Sequence, residues 1–588
     1  MTWGILEFRR TCVSAVVFFV LAFLLASFSS TVLAQTASTG AIKGSVTDSS
    51  GAVVPNATIT ATDNETAAVR TVTSGGDGSF IVTVLPLGTY RLRVQAAGFK
   101  PLEVPSIVVN VTETAAFNPV LEVGGQTQEV TVQATAEALQ TTNATMGTVV
   151  SSNTATAIPL TTRNFTNLLG LSAGANTSVF NATQLGKGTT DIAVNGANLG
   201  QNGTSMDGVA VSNTTTSGLL SDTGKAPSIG LVNPDAIQEF KIQTSLFDAG
   251  YGRNVGANTN VVTKSGTNDF HGDAFEFFRN TVLDANEFFR KENTQVLNGV
   301  QQNSRQVLDQ NQFGGVFGGP IKKDKLFFFG SFQELSQKNG LAAQGASVPF
   351  ELPILPGGDR SNTAALEASL GQYFAPGGID GGTSKAGGVQ VAANGSNISP
   401  IAIALLQQKN TDGTYYIPSG PSVTSVGGQT VGTKVVLTDP ARFTEHQYLG
   451  NGDYLINSKN TFSLRYFYAN DPETISYLCG INGGTNYGIC YNDNTGISSI
   501  SNHYAVLKLT SILTNNLVNE ARVSMQRDTA STHATNTYTN EQFGINSISP
   551  YEKDLDQITI TGLFTTGTAG GLPQYQSVTN GELADDIS

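Results

Sequence analysis

A mainly β fold in an exported chain is what this sequence predicts, and three observations lead there. The first 34 residues have the three-part character of a secretory signal. After them no stretch offers about 18 unbroken apolar residues, the length a transmembrane helix needs. The rest alternates apolar and polar residues with a period of two over many short runs, separated by Gly, Ser, Thr and Asn.

Export is read from Arg9 and Arg10, the apolar run Cys12 to Phe28, and Val32-Leu33-Ala34 before Gln35. A positive region, an apolar core and small residues before a cut predict cleavage between Ala34 and Gln35. A retained anchor is the alternative, but the run is slightly short for a spanning helix. The mature chain therefore stays soluble or crosses a membrane as strands. Charged residues are 13% and Gly is 64 of 588, a profile that suits twisted sheets and polar turns. A net charge of −13 without a long basic run excludes nucleic acid as an expected partner. Cys12 leaves with the signal, so Cys479 and Cys490 remain, and in an exported chain they read as one disulfide closing a loop. Two free thiols are the alternative.

Residues 35–123 hold the first domain. Ala57, Ile59 and Ala61 alternate with Thr58, Thr60 and Thr62, and Tyr90, Leu92 and Val94 alternate with Arg91, Arg93 and Gln95. One face of each strand enters a core and the other meets water. Asp48-Ser-Ser-Gly51 and Gly75-Gly-Asp-Gly78 supply the turns. About seven strands in this length predict a small β-sandwich. Gly44-Ser-Val-Thr-Asp48, Gly51-Ala-Val-Val-Pro55-Asn-Ala57, Asp77-Gly-Ser-Phe80, Leu87-Gly-Thr-Tyr90 and Ala97-Gly-Phe99 together resemble the carboxypeptidase regulatory-like domain. The resemblance implies a transthyretin-like sandwich, often grouped with starch-binding-like folds, and an accessory role. Peptidase activity is not expected. The four histidines (His271, His446, His503, His533) lie outside this domain, and none pair at zinc-ligand spacing.

Residues 124–145 form a polar linker with one hydrophobic patch, Glu129-Val-Thr-Val-Gln133. An extended segment of this kind adds readily to the edge of a partner's sheet. It also fits the sandwich's last strand, or a strand of the linker.

Residues 146–265 carry Val194-Asn-Gly196, Met206-Asp-Gly-Val209, Pro234-Asp-Ala-Ile-Gln-Glu-Phe240, Tyr251-Gly-Arg253 and Asn260-Val-Val-Thr-Lys-Ser-Gly-Thr-Asn268. This set resembles the α+β plug domain of TonB-dependent receptors, in the Oar-like branch that carries an N-terminal sandwich. Asn233 is expected to cap a short helix beginning at Pro234, with Asp235 and Glu239 near its positive end. Extended structure is expected from Ile242, and a strand at Asn260–Thr263. A free-standing α/β domain explains the same local pattern. In the receptor family the segment ahead of the plug is the box gripped by TonB, so the resemblance makes Glu129, Val130, Thr131 and Val132 a candidate TonB box.

Residues 266–588 alternate with aromatic emphasis. Phe275 and Phe277 flank Glu276; Phe462, Leu464, Tyr466 and Tyr468 alternate with Ser463 and Arg465; Ala521, Val523 and Met525 alternate with Glu520, Arg522 and Ser524. Periodicity does not separate a soluble sandwich from a barrel, whose apolar face meets lipid and whose polar face lines the lumen. Short turns at Asn457-Ser-Lys-Asn460 and Leu513-Thr-Asn-Asn516, set against long connections at 336–443 and 471–500, favour a barrel. Asn311-Gln-Phe-Gly-Gly-Val-Phe-Gly-Gly-Pro320, Lys325-Leu-Phe-Phe-Phe-Gly330 and Phe270-His-Gly272 resemble an early hairpin of Oar-like barrels. The fold class is thus mainly β: a transthyretin-like sandwich, an α+β plug, and the first part of a transmembrane antiparallel barrel. About seven strands to residue 528, with one more near the end, fall short of the 22 of large plugged barrels. Gly581-Glu-Leu-Ala-Asp-Asp-Ile-Ser588 lacks the aromatic strand that ends such barrels, so a truncated chain is expected.

What the resemblance implies is an outer-membrane receptor that takes up an external ligand, a carbohydrate or a peptide, when a TonB-type energy-transducing protein pulls the linker. Surface adhesion or secretion on the same scaffold is the alternative. Its surroundings would be outer-membrane lipid, with the N-terminal domains in the periplasm. No cofactor, metal or catalytic residue is expected: no Ser/His/Asp or Cys/His arrangement is discernible, and Gly314–Gly319 belongs to an aromatic strand, not a phosphate loop. The Asn-x-Ser/Thr matches, Asn56 and Asn64 among them, are ascribed to composition.

Overall fold

The computed structural model describes residues 38–124, 130–131 and most of 145–588. Stretches outside it include 1–37, 125–129, 132–144, 178–184, 212–231, 248–253, 341–347, 378–388 and 476–495. Ala34 and Gln35 with the export signal, Glu129 and Val132, Tyr251–Arg253, and both Cys479 and Cys490 lie outside the described residues.

The alternation at Thr58–Thr62 and Tyr90–Gln95 becomes two facing sheets. Strands β1 (Gly40–Ser45), β2 (Thr58–Asp63), β3 (Val69–Thr73), β4 (Ser79–Leu85), β5 (Gly88–Gln95), β6 (Leu102–Val109) and β7 (Thr114–Ala116) pair as β4-β1-β7 and β6-β5-β2-β3. Ile59, Ala61, Leu92 and Val94 are fully buried between them. Each such aliphatic side chain stabilises the sandwich by roughly 1.5–3 kcal/mol when it leaves water. Tyr90 is buried too, and its hydroxyl is satisfied by donating to the Pro86 carbonyl at 2.9 Å. A further two-residue strand, β8 (Val130–Thr131), lies parallel to β6 at the sheet's end, with Val130 opposite Leu102 and Thr131 opposite Glu103.

The next sheet runs β9-β12-β13-β10-β11, from β9 (Met146–Ser151), β10 (Gly203–Met206), β11 (Val209–Ala210), β12 (Ile237–Ser245) and β13 (Asn258–Thr263). A helix, α1 (Ser152–Ala157), follows β9 and is capped by Ser151. β10 and β11 are joined at Asp207 and Gly208, with φ of +50° and +89°, the two left-handed residues a tight hairpin demands. The expected helix after Asn233 is one 3-10 turn, Pro234–Ala236, although Asn233 caps it as foreseen, its Oδ1 accepting from the Asp235 amide at 3.1 Å. Extended structure starts at Ile237, not Ile242, and Glu239 lies in the strand. Two-sided pairing with β9 and β13 decides this, together with the complete burial of Ile237, Phe240 and Ile242.

The last sheet has eight strands in sequence order, all antiparallel: β14 (His271–Arg279), β15 (Leu308–Lys322), β16 (Leu326–Asn339), β17 (Ala441–Asn457), β18 (Asn460–Ile475), β19 (Gly496–Thr514), β20 (Leu517–Ala534) and β21 (Gln574–Ile587). Seven begin before residue 528, as the alternation predicts. The links β15–β16, β17–β18 and β19–β20 are two or three residues long; those at the other end are long. Among the described residues no helix is long and apolar enough to cross a membrane.

One face of this wall is open. Phe462, Leu464, Tyr466, Val523 and Met525 are exposed on it, while Ser463 and Glu520 on the opposite face are buried. Two features depart from the simple pattern. Phe275 and Phe277 share the inner face with Gln312, and the Arg163 guanidinium lies over both rings at 4.6 and 4.3 Å, leaving Glu276 outside. The inner face also carries apolar side chains, Phe329, Leu449 and Phe467 among them, because it packs against protein instead of water. Two connections at the long-loop end share a small core of their own. Helices α2 (Thr363–Phe374) and α3 (Pro400–Gln407) pack Leu366, Leu370 and Ile403 against Tyr416, Tyr538 and Phe543.

Candidate functional site

The candidate surface lies where the domain of β9–β13 meets the inner face of the wall. Phe165, Phe240 and Val150 of the domain share one hydrophobic cluster with Val316, Phe329, Leu449, Phe467 and Tyr504 of the wall. Polar contacts ring this cluster. The Tyr504 hydroxyl donates to the Met206 carbonyl. The Asn233 amide donates to Gln447 Oε1 at 2.7 Å. Arg163 pairs with Asp235 while lying on Phe275 and Phe277. Burial pushes the Asp235 carboxyl up, and the Arg163 charge opposes that shift.

Toward the long loops, the segment Leu185–Lys187 enters the wall. Lys187 is buried and pairs with Glu445 of β17, which also accepts from Gln333 at 2.9 Å and Gln447 at 3.3 Å. The Gly186 amide donates to Gln337 Oε1 at 2.6 Å. Gly186 has φ +65°, and a Cβ there would fall 2.8 Å from the Phe443 ring, so no other residue fits without displacing the wall. Thr162 and Asn164 hold the Lys187 carbonyl from the domain side, at 2.8 and 3.3 Å. Glu445 faces Asp471 across the β17–β18 ladder by register, and both Asp471 oxygens are buried without a hydrogen bond.

Toward the short turns, Asp207 accepts from the Thr263 amide at 2.9 Å and from its hydroxyl at 2.8 Å. This joins two of the sequence motifs, Met206–Val209 and Asn260–Asn268. Asn451 of the wall donates to Thr263 Oγ1 at 2.8 Å and to the Lys264 carbonyl at 2.7 Å. Asp453 collects Ser265, Ser463 at 2.7 Å and Arg465 at 3.0 Å.

The sandwich docks at this same end. Glu239 Oε1 accepts the Val111 amide at 2.6 Å, Lys241 pairs with Glu113 at 3.0 Å, and the Asn268 amide donates to the Glu65 carbonyl at 3.0 Å. Burial raises the Glu239 carboxyl to about 7, and the hydrogen bond from Val111 only partly offsets it. Glu65 is also pushed up, first by burial and then by the charge of Asp63. A cavity of about 200 Å³ remains between the three bodies, edged by Glu65, Arg70, Asp207, Arg465, Lys508 and Glu520.

Of the candidate site residues, only Val130 and Thr131 are placed, on the sandwich edge. Lys187, Glu445, Arg163 and Asp453 escaped the sequence reading. Among the described residues no group of three or more His, Cys, Asp or Glu is arranged to hold a metal; His271 Nδ1 lies 3.0 Å from the Asp269 carbonyl, at the start of β14.

A sheet with an apolar outer face, short turns at one end and a second domain seated on its inner face defines the class of outer-membrane barrel proteins. Residues 262–588 match the family model described as outer membrane beta barrel domain; the chain belongs to that family, and its place is the cell outer membrane. Residues 41–122 match the carboxypeptidase regulatory-like domain. The chain is 27% identical over 282 residues to the TonB-dependent transporter Oar of Myxococcus xanthus, covering 47% of this chain and 24% of that protein. It thus spans about a quarter of that curated relative. Among solved structures it is similar to the outer membrane transporter YddB of Escherichia coli, with TM-score 0.43 and 11% identity over 75% of this chain and 45% of that one. It is also similar to the siderophore receptor PirA of Acinetobacter baumannii, with TM-score 0.32 and 14% identity over 67% and 49% of the two chains.

Proposed function

We propose that the protein works as a TonB-dependent outer-membrane receptor that takes an external ligand inward past a movable plug. One observation carries this reading: the domain of β9–β13 is seated on the wall by an apolar cluster ringed with polar contacts that can be exchanged. Lys187–Glu445, Asn233–Gln447 and Asn451–Thr263 all join hydrogen-bonding groups that water or a ligand can satisfy in turn. A wall sealed only by apolar packing would resist displacement.

On this reading residues 1–34 are the export signal, 35–123 the accessory sandwich, 124–145 the linker, 146–265 the plug and 266–588 barrel wall. Glu129, Val130, Thr131 and Val132 are the box taken by a TonB-type protein, and Cys479 and Cys490 close a loop by a disulfide. The ligand is a carbohydrate or a peptide. The protein performs no catalysis.

The test replaces Val130 with Pro, which removes an amide donor and blocks strand addition. Binding of the isolated periplasmic domain of a TonB-type protein is expected to be lost, along with uptake of fluorescent maltodextrin or a labelled tripeptide by cells carrying the receptor. Unchanged binding would count against the box, and absent uptake of both probes by the unaltered receptor would count against those ligand classes.

A further inference from the structure

The sandwich has one edge strand whose exposed backbone is only partly protected. In the sheet β8-β6-β5-β2-β3, β6 would be the terminal strand were β8 absent. An unpaired edge accepts any extended segment, and folds blunt it with proline or charge. Here Pro105, with no amide hydrogen, stands within β6. Only the stretch before it, Leu102 and Glu103, pairs with β8. Pro105 offers no donor to a strand added beyond Glu103, and among the described residues the added strand lies before it. The segment that fills this slot is Val130–Thr131, two β-branched residues suited to extended backbone. Among the described residues no strand pairs with the far side of β8.

We propose that the sandwich is a template for strand addition. It holds Val130 and Thr131 extended on β6, so that the far edge of β8 receives a strand from the periplasmic energy-transducing partner as the next member of the same sheet. The inference rests on reading Glu129–Val132 as the partner's box. The docked segment is already extended, so the partner does not have to order it, and each residue fixed in advance removes part of the entropy that opposes binding. The sandwich is itself fastened to β12 through Val111–Glu239 and Glu113–Lys241, which holds the template at the short-turn end of the wall, where a periplasmic protein can reach it. The partner that fits is a chain with an exposed strand edge.

The experiment fixes the docked register. Glu103→Cys with Thr131→Cys, in a chain carrying Cys479→Ser and Cys490→Ser, places thiols on directly opposed residues, a spacing a disulfide spans. The Arg91–Glu103 pair lost in the process is long at 3.7 Å and open to solvent. Binding of the partner's isolated periplasmic domain is then measured on the purified receptor, oxidised and reduced, beside the Val130→Pro variant. The expected result is that the disulfide forms and that the oxidised receptor binds as well as the reduced one, or up to about ten-fold more tightly. Binding weakened ten-fold or more on oxidation would mean that the segment must leave the sandwich, and would overturn the template. Failure of the disulfide to form, while Val130→Pro still abolishes binding, would leave the box intact and also overturn the template. Unchanged binding by Val130→Pro would remove the box reading itself, and the template with it.

Discussion

The Glu239 carboxylate accepts the Val111 amide at 2.6 Å, and so a buried acid on β12 holds the sandwich in place. Burial raises this carboxyl from 4.5 to about 7, so the docked state binds more protons than the separated one. Docking is then strongest below pH 4.5, weakens as pH rises toward about 7, and changes little above it. The full span of this term is at most about 3 kcal/mol. Protection of the Val111 amide against hydrogen exchange should fall between pH 5 and 7 after correction for the intrinsic rate. Glu239→Gln keeps an acceptor for Val111 and should flatten the dependence. A profile equally steep in that variant would assign the effect elsewhere.

The Lys187–Glu445 pair joins the segment Leu185–Lys187 to the wall in a site closed to water. Removing one member leaves the other charge buried, a cost of about 3–5 kcal/mol, whereas removing both is often near neutral. Lys187→Met and Glu445→Met should each speed exchange at Gly186 and lower the temperature at which the domain of β9–β13 loosens. The double variant should lie closer to the parent than either single one. Additive losses would show that the two charges do not depend on each other.

The sandwich and the wall were legible because their cores repeat every second residue. Ile59, Ala61, Leu92 and Val94 were assignable from spacing alone; spacing also put Phe462, Leu464 and Tyr466 on one face, but that this face points outward followed from turn lengths and the resemblance. Burial in each case follows directly from position along a strand. The strand at Ile237 was obscured by the Asn233-Pro234 cap, which is real but spans one turn; the competing instruction comes from β9 and β13, paired through register and not through neighbours in sequence. Lys187 and Glu445 lie 258 residues apart and no local pattern relates them. The inward turn of Phe275 and Phe277 likewise depends on Arg163, more than a hundred residues upstream. Helix α2 was a different kind of omission, because its signal was present. Asn362 accepts the Ala365 amide at 3.0 Å as its cap, and Leu366, Leu370 and Phe374 recur every four residues.

Asp207 holds the hairpin of β10 and β11 to the end of β13 through two bonds from Thr263. Asp207→Ala strands the buried amide of Thr263, at a cost of about 1–3 kcal/mol. It also places alanine at a left-handed position that aspartate tolerates better. Asp207→Asn preserves an acceptor for the amide and should recover at least half of the loss. Thermal unfolding of the purified protein separates these outcomes. Equal destabilisation by both variants would mean that the charge, and not the hydrogen bonds, is what matters.

The core shared by α2, α3 and the segment around Tyr538–Leu555 joins two connections that leave the wall at separate points. Leu370 is 2% exposed within it, and Leu370→Ala should cost about 2–5 kcal/mol of local stability. This cluster shares no residue with the one between the β9–β13 domain and the wall, so the loss should open the loop region without melting the wall. In intact cells, external protease should then cut within residues 340–440 much faster than in the parent, while the wall keeps its β-sheet circular dichroism in mild detergent. Tyr416→Phe removes the hydroxyl with its contact to Thr566, keeps the ring, and should raise cleavage less. If Leu370→Ala instead abolished the folded wall, the loop core would be part of the barrel's own folding unit, and a ligand could not reshape these loops independently of the strands beneath them.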